Sequence, residues 1–139
     1  MESCNSVHTP GIINNTLPAL EEHLLDLQGM KQYQAMVGSL IFLSQCTRFD
    51  IAFSVTQVAR YMSKPTTEHM AAVKRIFRYL KGTPDLPIVY RSSRKNLELK
   101  GFADSSYGNE GLGGKMRSTS GTMFFSSERI YIFLRVYNG

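Results

Sequence analysis

The hydrophobic periodicity of the chain changes once, around residues 83–87, and this change constrains the fold more than any other feature. Before it, apolar residues recur every three to four positions, which is typical of amphipathic helices. After it, apolar and polar residues alternate, which is typical of strands. The sequence therefore predicts an α+β chain, with about three helices followed by an antiparallel sheet.

The first two helices are predicted from apolar stripes and their boundary residues. Residues 30–45 form the first helix, because Gly29 is expected to limit any earlier helical turn, and Gly38 is expected to allow another backbone to approach. Asp50 is a candidate N-cap for the second helix. That helix is expected to end at Lys64, because the residue before Pro65 is disfavoured in the α region. Its inner stripe comprises Ile51, Val55, Val58 and Met62.

The third helix is predicted over residues 66–81. Glu68 lies in its first turn and Lys81 in its last, as the helix dipole favours, and Gly82 follows as a C-cap. The predicted inner face comprises Met70, Val73, Phe77 and Leu80.

Four strands are predicted after the helices. They are "IVYRSS", "LELKGFAD", "TSGTMFF" and "RIYIFLRV". A meander of this kind is marginal in water unless something covers one face. Strands left uncovered would favour self-association.

A basic row on the third helix is the first candidate site. The chain has a net charge of +5, which favours polyanionic partners. Lys74, Arg78 and Lys81 align on one helix face with Arg75 beside them. They could contact successive phosphates of a nucleic acid, or they could form a solvated face. Both interpretations remain open from the residues alone.

Asp104 is the second candidate site. It is followed by Ser-Ser and a glycine-rich stretch, so spacing alone favours a turn residue over a metal ligand. "GNEGLGGK" lacks the Gly-Lys-Ser/Thr ending of a phosphate-binding loop. Cys4 and Cys46 show no pairing pattern, and we expect reduced thiols in an intracellular, cytoplasmic or nuclear protein without a membrane partner.

Several motifs in combination resemble the copia-type retrotransposon Pol polyprotein. "MESCNSVHTP" resembles its linker after the polymerase palm. "Y-x-x-x-V-G-S-L", "T-R-x-D-I" and "H-x-x-A-x-K-R-I-x-R-Y-L-K-G-T" resemble its connection region, and "GFADSSYG" with "RSTSG" resembles the start of its ribonuclease H domain. The closing "SSERIYIFLRVYNG" departs from the family pattern, and from this we expect a truncated or frame-altered end.

The resemblance implies three regions: a linker or tether at 1–28, a helical connection segment at 29–83, and a truncated ribonuclease H-like domain with an incomplete sheet at 86–139. The parent family is an RNA-directed DNA polymerase and ribonuclease H that uses Mg²⁺. Asp104 would be the first carboxylate of that site, and its companions would lie beyond residue 139.

The resemblance implies a chain that is inactive alone, with no cofactor in this fragment, an incomplete Mg²⁺ site, and weak binding to the backbone of an RNA–DNA hybrid. Two alternatives remain open. One is a structural or interaction module that self-associates through exposed strands. The other is a Mg²⁺-dependent ribonuclease H completed by another chain.

Overall fold

A computed structural model describes residues 4–11, 17, 23–86, 99–109, 117–126 and 129–131. The chain divides into two compact units, Met1–Leu86 and Pro87–Gly139. The described part of the first unit contains α1 (Leu27–Cys46), α2 (Ala52–Ala59) and α3 (Thr67–Gly82), with a short 3-10 helix at Phe49–Ile51 before α2. The second contains an antiparallel sheet of β1 (Leu99–Asn109), β2 (Arg117–Ser126) and β3 (Arg129–Tyr131) in that order. The predicted α+β class, helices before an antiparallel sheet, is confirmed.

Helix α1 begins three residues before its predicted start at Met30. The carboxylate of Asp26, an extended N-cap residue, accepts a hydrogen bond from the backbone N–H of Gly29 at 2.8 Å. Gly29 therefore belongs to the capped first turn, where its backbone donor is needed, and it does not limit the helix. Gly38 faces open space, so the close backbone approach expected there is absent from the described residues.

Helix α2 is shorter than predicted and ends at Ala59 instead of Lys64. Beyond it the chain tightens, since the N–H of Tyr61 donates to the carbonyl of Val58 and that of Met62 to the carbonyl of Ala59. Hydrogen bonds between residues i and i−3 are typical of the last turn of a helix. The apolar stripe continued through this turn, which is why periodicity alone overestimated the helix.

Helix α3 begins with a capping box made by Thr66 and His69. The N–H of Thr66 donates to Nδ1 of His69 at 3.0 Å, so this ring nitrogen is an acceptor and carries no proton. The buried His69 ring also stacks on Tyr61, with ring centroids 3.8 Å apart. Glu68 and Lys81 lie in the first and last turns, as predicted, while Gly82 is the last helical residue and Thr83 is the C-cap.

The three helices bury one apolar core. Its members are Tyr33, Val37, Leu40, Ile51, Val55, Val58, Met70, Val73 and Ile76. Burying a side chain of this size contributes about 1.5–3 kcal/mol before entropy is deducted. The predicted inner face of α3 missed Ile76, and it included Phe77 and Leu80, which are only partly buried.

One buried hydrogen bond ties α1 to the end of α2. The Tyr33 hydroxyl donates to the carbonyl of Val58 at 2.6 Å. Burial, with a smaller contribution from Tyr61, raises the pKa of Tyr33 above its ordinary value, so the hydroxyl keeps its proton. The same carbonyl also accepts from the N–H of Tyr61, so the Tyr33 hydroxyl provides its second hydrogen bond and anchors the closing turn of α2 to α1.

The sheet pairs Phe102 with Met123 and Asp104 with Gly121. Strand β1 continues through Ser105 and Ser106 to Asn109, residues that were predicted to form a turn. The Phe124 ring lies across Gly101, where an added Cβ would stand only 2.9 Å from it. The predicted strand "IVYRSS" and residues 132–136 of "RIYIFLRV" lie outside the described residues.

We expect Val55→Asp to unfold the helical unit. Val55 is 2% exposed, and an isolated buried charge costs more than a typical domain can lose. Phe53→Asp is the matched control, because Phe53 lies on the same helix but is 58% exposed. Helical circular dichroism during heating measures both. An unchanged melting temperature for Val55→Asp would refute the packing.

Candidate nucleic-acid interface

The basic side of α3 is positioned by the burial of its other side. Val73 and Ile76 are at most 1% exposed, so the helix cannot rotate without exposing them. On the opposite side Lys74 is exposed and Arg78 is partly buried. The four predicted residues therefore lie on one helix whose orientation is fixed by its core contacts.

Residues 4–11, here called the N-terminal segment, lie against this basic side. Three of the four predicted cations donate hydrogen bonds to its oxygen atoms: Arg75 Nη2 to Thr9 Oγ1 at 2.9 Å, Arg78 Nε to the carbonyl of Asn5 at 2.7 Å, and Lys81 Nζ to the carbonyl of Cys4 at 2.9 Å. These bonds are exposed to solvent. Sequence reasoning treated this stretch as part of a tether and missed the contact, since no local pattern reports a bond between residues more than 60 positions apart.

Arg48 connects the C-terminal end of α3 to the 3-10 helix that precedes α2. Its guanidinium makes two bonds to the Asp50 carboxylate, at 3.0 and 2.8 Å. It also donates to the carbonyl and the hydroxyl of Thr83 at 2.8 and 2.7 Å, and lies 5.6 Å from the centre of the Tyr79 ring. A planar fork of this kind can serve a carboxylate and a helix C-cap together.

The predicted N-cap role of Asp50 is wrong. Asp50 lies inside the 3-10 helix, and the N-cap of α2 is Ile51, which makes no side-chain cap bond. The reason is the cation two residues earlier, because the Asp50 carboxylate pairs with the Arg48 guanidinium. Sequence reasoning did not weigh this ion pair.

The ionisation of Asp50 follows from its neighbours. Partial burial alone would raise the pKa of Asp50, but hydrogen bonds from Arg48 and Tyr79, with the charge of Arg48, outweigh it and lower the pKa below its ordinary value. Burial and the bond to Asp50 raise the pKa of Tyr79, despite the nearby Arg48. The cluster is thus an ionised acid, a cation and a protonated phenol, which is a structural arrangement.

Asp104 lies in the middle of β1, opposite Gly121, and is exposed. The turn interpretation of this residue is therefore wrong. Within the described residues, no group of three or more His, Cys, Asp or Glu side chains could hold a metal ion. Glu98, Glu110 and Glu128 lie outside the described residues. Two Mg²⁺ ions need several hard oxygen ligands, and the described donor set does not fit them.

Two further observations concern the rest of the described chain. Cys4 and Cys46 are free thiols. Among the helices of the described ranges, none has the length and apolar character needed to cross a membrane.

Comparison with known proteins gives several transposon relatives. The chain is 40% identical over 76 residues to the retrovirus-related Pol polyprotein from transposon RE1 of Arabidopsis thaliana, which covers 55% of this chain and 5% of that protein. It is 42% identical over 73 residues to the corresponding polyprotein from transposon TNT 1-94 of Nicotiana tabacum, covering 52% and 5%. It is 32% identical over 94 residues to a transposon Ty5-1 protein of Saccharomyces cerevisiae, covering 68% and 30%.

The chain is therefore similar to the retrovirus-related Pol polyproteins of transposons. It spans about 5% of the length of the RE1 and TNT 1-94 polyproteins and under a third of the Ty5-1 protein. No family model and no solved structure matches it. The resemblance to a transposon Pol polyprotein expected from the sequence is thereby confirmed.

Several residues of the motifs that resemble Pol polyproteins stabilise the fold. Tyr33 and Val37 of "Y-x-x-x-V-G-S-L" are core residues, and Arg48 with Asp50 of "T-R-x-D-I" makes the ion pair. His69, which opens the third motif, completes the α3 capping box. These five motif residues therefore stabilise the helices, whereas the third motif also contains the four cations of the basic side.

We expect Asp50→Asn to destabilise the helical unit by about 1 kcal/mol, because it removes the charge of a partly exposed pair. For a unit of this size the melting temperature should fall by about 4–8 °C at neutral pH. Because the pKa of Asp50 is lower in the folded than in the unfolded protein, its ionised carboxylate stabilises the fold at any pH above the unfolded pKa. This stabilisation is lost as the pH falls through the folded pKa. The difference from wild type should therefore narrow below about pH 4.

Asp26→Asn is the matched control, because asparagine caps a helix about as well as aspartate. Its melting temperature should stay within a degree or two of wild type. A gap between wild type and Asp50→Asn that stayed constant down to pH 2 would contradict the assigned ion pair.

Proposed function

We propose that this chain is a connection segment of a copia-type Pol polyprotein together with the opening strands of its ribonuclease H domain. In this proposal the segment binds the sugar–phosphate backbone of an RNA–DNA hybrid through Lys74, Arg75, Arg78 and Lys81, and it has no catalytic activity by itself. Kinship with transposon Pol polyproteins supports the first part. The geometry of α3 supports the second.

The observation that carries the binding proposal is the line of cationic donors along α3. Positions 74 and 81 are seven residues apart, which is about 10 Å along a helix and close to the axial length of three base pairs. Arg75, Arg78 and Lys81 already donate to oxygen atoms on that side of the helix. Donors that reach carbonyl and hydroxyl oxygens in a row can also reach phosphate oxygens in a row.

The expected affinity is weak and depends on salt. Each neutralised phosphate contributes about 0.9 to the slope of log K against log salt, so four contacts give a slope between about 3 and 4. Contacts of this kind position a backbone and carry no sequence information. We therefore expect binding that depends on ionic strength and is indifferent to base sequence.

The test is the affinity for a fluorescent RNA–DNA hybrid over a salt series. The double variant Lys74→Ala/Arg78→Ala should lower the salt slope by about 2, because each lost phosphate contact removes about one unit. The matched control is Lys31→Ala/Lys64→Ala, which removes the same charge from exposed lysines outside α3.

A control variant that lost as much slope as the α3 variant would show that net charge, and not this helix, carries the binding. Hybrid binding by wild type that did not change with salt would also contradict the proposal. Melting temperatures of both double variants, compared with wild type, exclude unfolding as the cause of a lost slope.

Catalysis is expected to be absent because a single carboxylate cannot hold two divalent ions in hydrolytic geometry. The full 139-residue chain should show no Mg²⁺-dependent cleavage of the hybrid above a buffer control. The paired variant is Asp104→Asn. Cleavage by wild type that this variant abolished would establish an active nuclease, completed by residues outside the described ranges or by another chain.

A second candidate function is an interaction module that uses the sheet. Phe102 is 61% exposed, and β1 lies at one edge of the sheet that the described residues form; exposed edge strands with apolar side chains favour pairing with another chain. Sedimentation velocity on the wild-type preparations separates the two functions, since a monomer at all concentrations counts against the module.

A further inference from the structure

We propose that the N-terminal segment is an internal competitor of nucleic acid on α3, so that a backbone ligand must displace it to reach Arg75, Arg78 and Lys81. This inference rests on the proposed function of the basic side. It adds a regulatory contact to that function, because the N-terminal segment covers three of the four cations and is part of the same chain.

The segment contacts the cations through oxygen atoms but brings no formal negative charge. The three acceptors are the carbonyls of Cys4 and Asn5 and the hydroxyl of Thr9. Residues 4–11 contain no Asp or Glu, so the charge of the three cations is not neutralised by them. Hydrogen bonds between an ionised donor and an ionised acceptor are shorter and stronger than those to neutral oxygens. A phosphodiester can therefore replace these acceptors.

The displacement is inexpensive because the contacts are exposed. All three hydrogen bonds are open to water, which can solvate each partner when the segment leaves. Asn5 and Thr9 are themselves exposed. Local opening of a segment held by exposed hydrogen bonds requires less free energy than global unfolding.

A close approach at the end of α3 shows how the segment is held. A Cβ added at Gly82 would lie 2.8 Å from the Cβ of Ser6 and 3.6 Å from the carbonyl oxygen of Val7. Glycine is therefore needed here for the segment to lie flat on the helix. Gly82 is not one of the cations, so this position allows the cover to be changed without changing the binding groups.

The first part of the experiment holds the N-terminal segment on α3 with an engineered disulfide, here called the redox lock. Ser6→Cys and Gly82→Cys, in a Cys4→Ser/Cys46→Ser background, place two Cβ atoms within about 1 Å of ordinary disulfide spacing. Oxidation should fix the segment on α3 and leave Lys74 as the uncovered member of the four. Hybrid affinity at low salt should fall at least about tenfold, and the salt slope should drop from about 3–4 to about 1.

Reduction of the same preparation should raise the affinity and slope to those of Gly82→Ala, because the Cβ of Gly82→Cys crowds Ser6 in the same way. The opening arm is Gly82→Ala, which crowds Ser6 and should raise hybrid affinity about two- to fivefold because the cover is weakened. Ser6→Cys alone in the same background, under oxidant, is the control for oxidation itself. Melting temperatures of all forms verify that each is folded.

Equal affinities for the oxidised and reduced lock would overturn the competitor role while leaving hybrid binding by α3 intact. Failure of the two cysteines to pair under oxidant, together with a Gly82→Ala form that binds the hybrid no more tightly than wild type, would overturn the placement of the segment. Absence of salt-dependent binding in every form, including the reduced lock and Gly82→Ala, would remove the proposed function and this inference together. The salt slope of Lys74→Ala/Arg78→Ala distinguishes these two cases: it is lower than that of wild type if α3 binds the hybrid without competition from the segment, and unchanged if α3 does not bind the hybrid.

Discussion

The burial of one side of α3 is the constraint on which the arrangement of the helical unit depends. Val73 and Ile76 are enclosed by α1 and α2, and Met70 joins the same core. A helix fixed in this way has only one side left for charged residues. The basic row therefore follows from the packing, since moving the cations elsewhere would require exposing apolar side chains at about 1.5–3 kcal/mol each.

Polar contacts complete the apolar packing at the ends of the helices. Arg48 joins the turn before α2 to the C-cap of α3, and the Tyr33 hydroxyl adds a second hydrogen bond to a carbonyl where α2 ends. Tyr33 and Arg48 are also residues of the motifs by which the chain resembles Pol polyproteins. Helix ends leave unpaired backbone groups, and particular side chains are needed to satisfy them. Motifs such as "T-R-x-D-I" can therefore reflect how helix ends are stabilised and need not mark an active site.

The sequence predicted what depends on periodicity and missed what depends on contacts across the fold. The three helices and most of the core could be read from apolar spacing, because burial imposes that spacing directly. The role of Asp50 could not, since capping and ion pairing use the same residue type and the choice lies with Arg48. Ile76 and the strand position of Asp104 were missed for a related reason: neighbours distant in sequence decide them.

The two aspartates show how partners, and not residue type, determine what an acid does. Asp50 meets a guanidinium and a phenol, which hold its pKa low and make it a structural anion. Asp104 stands on an exposed strand opposite a glycine, and the described residues bring no group of metal ligands around it. Divalent ions require several converging oxygen ligands, and the Asp104 carboxylate on its strand provides one of them. Along α3, by contrast, three cations each donate to a neutral oxygen of the N-terminal segment, and the proposed binding of an anionic backbone depends on exchanging these acceptors for charged ones.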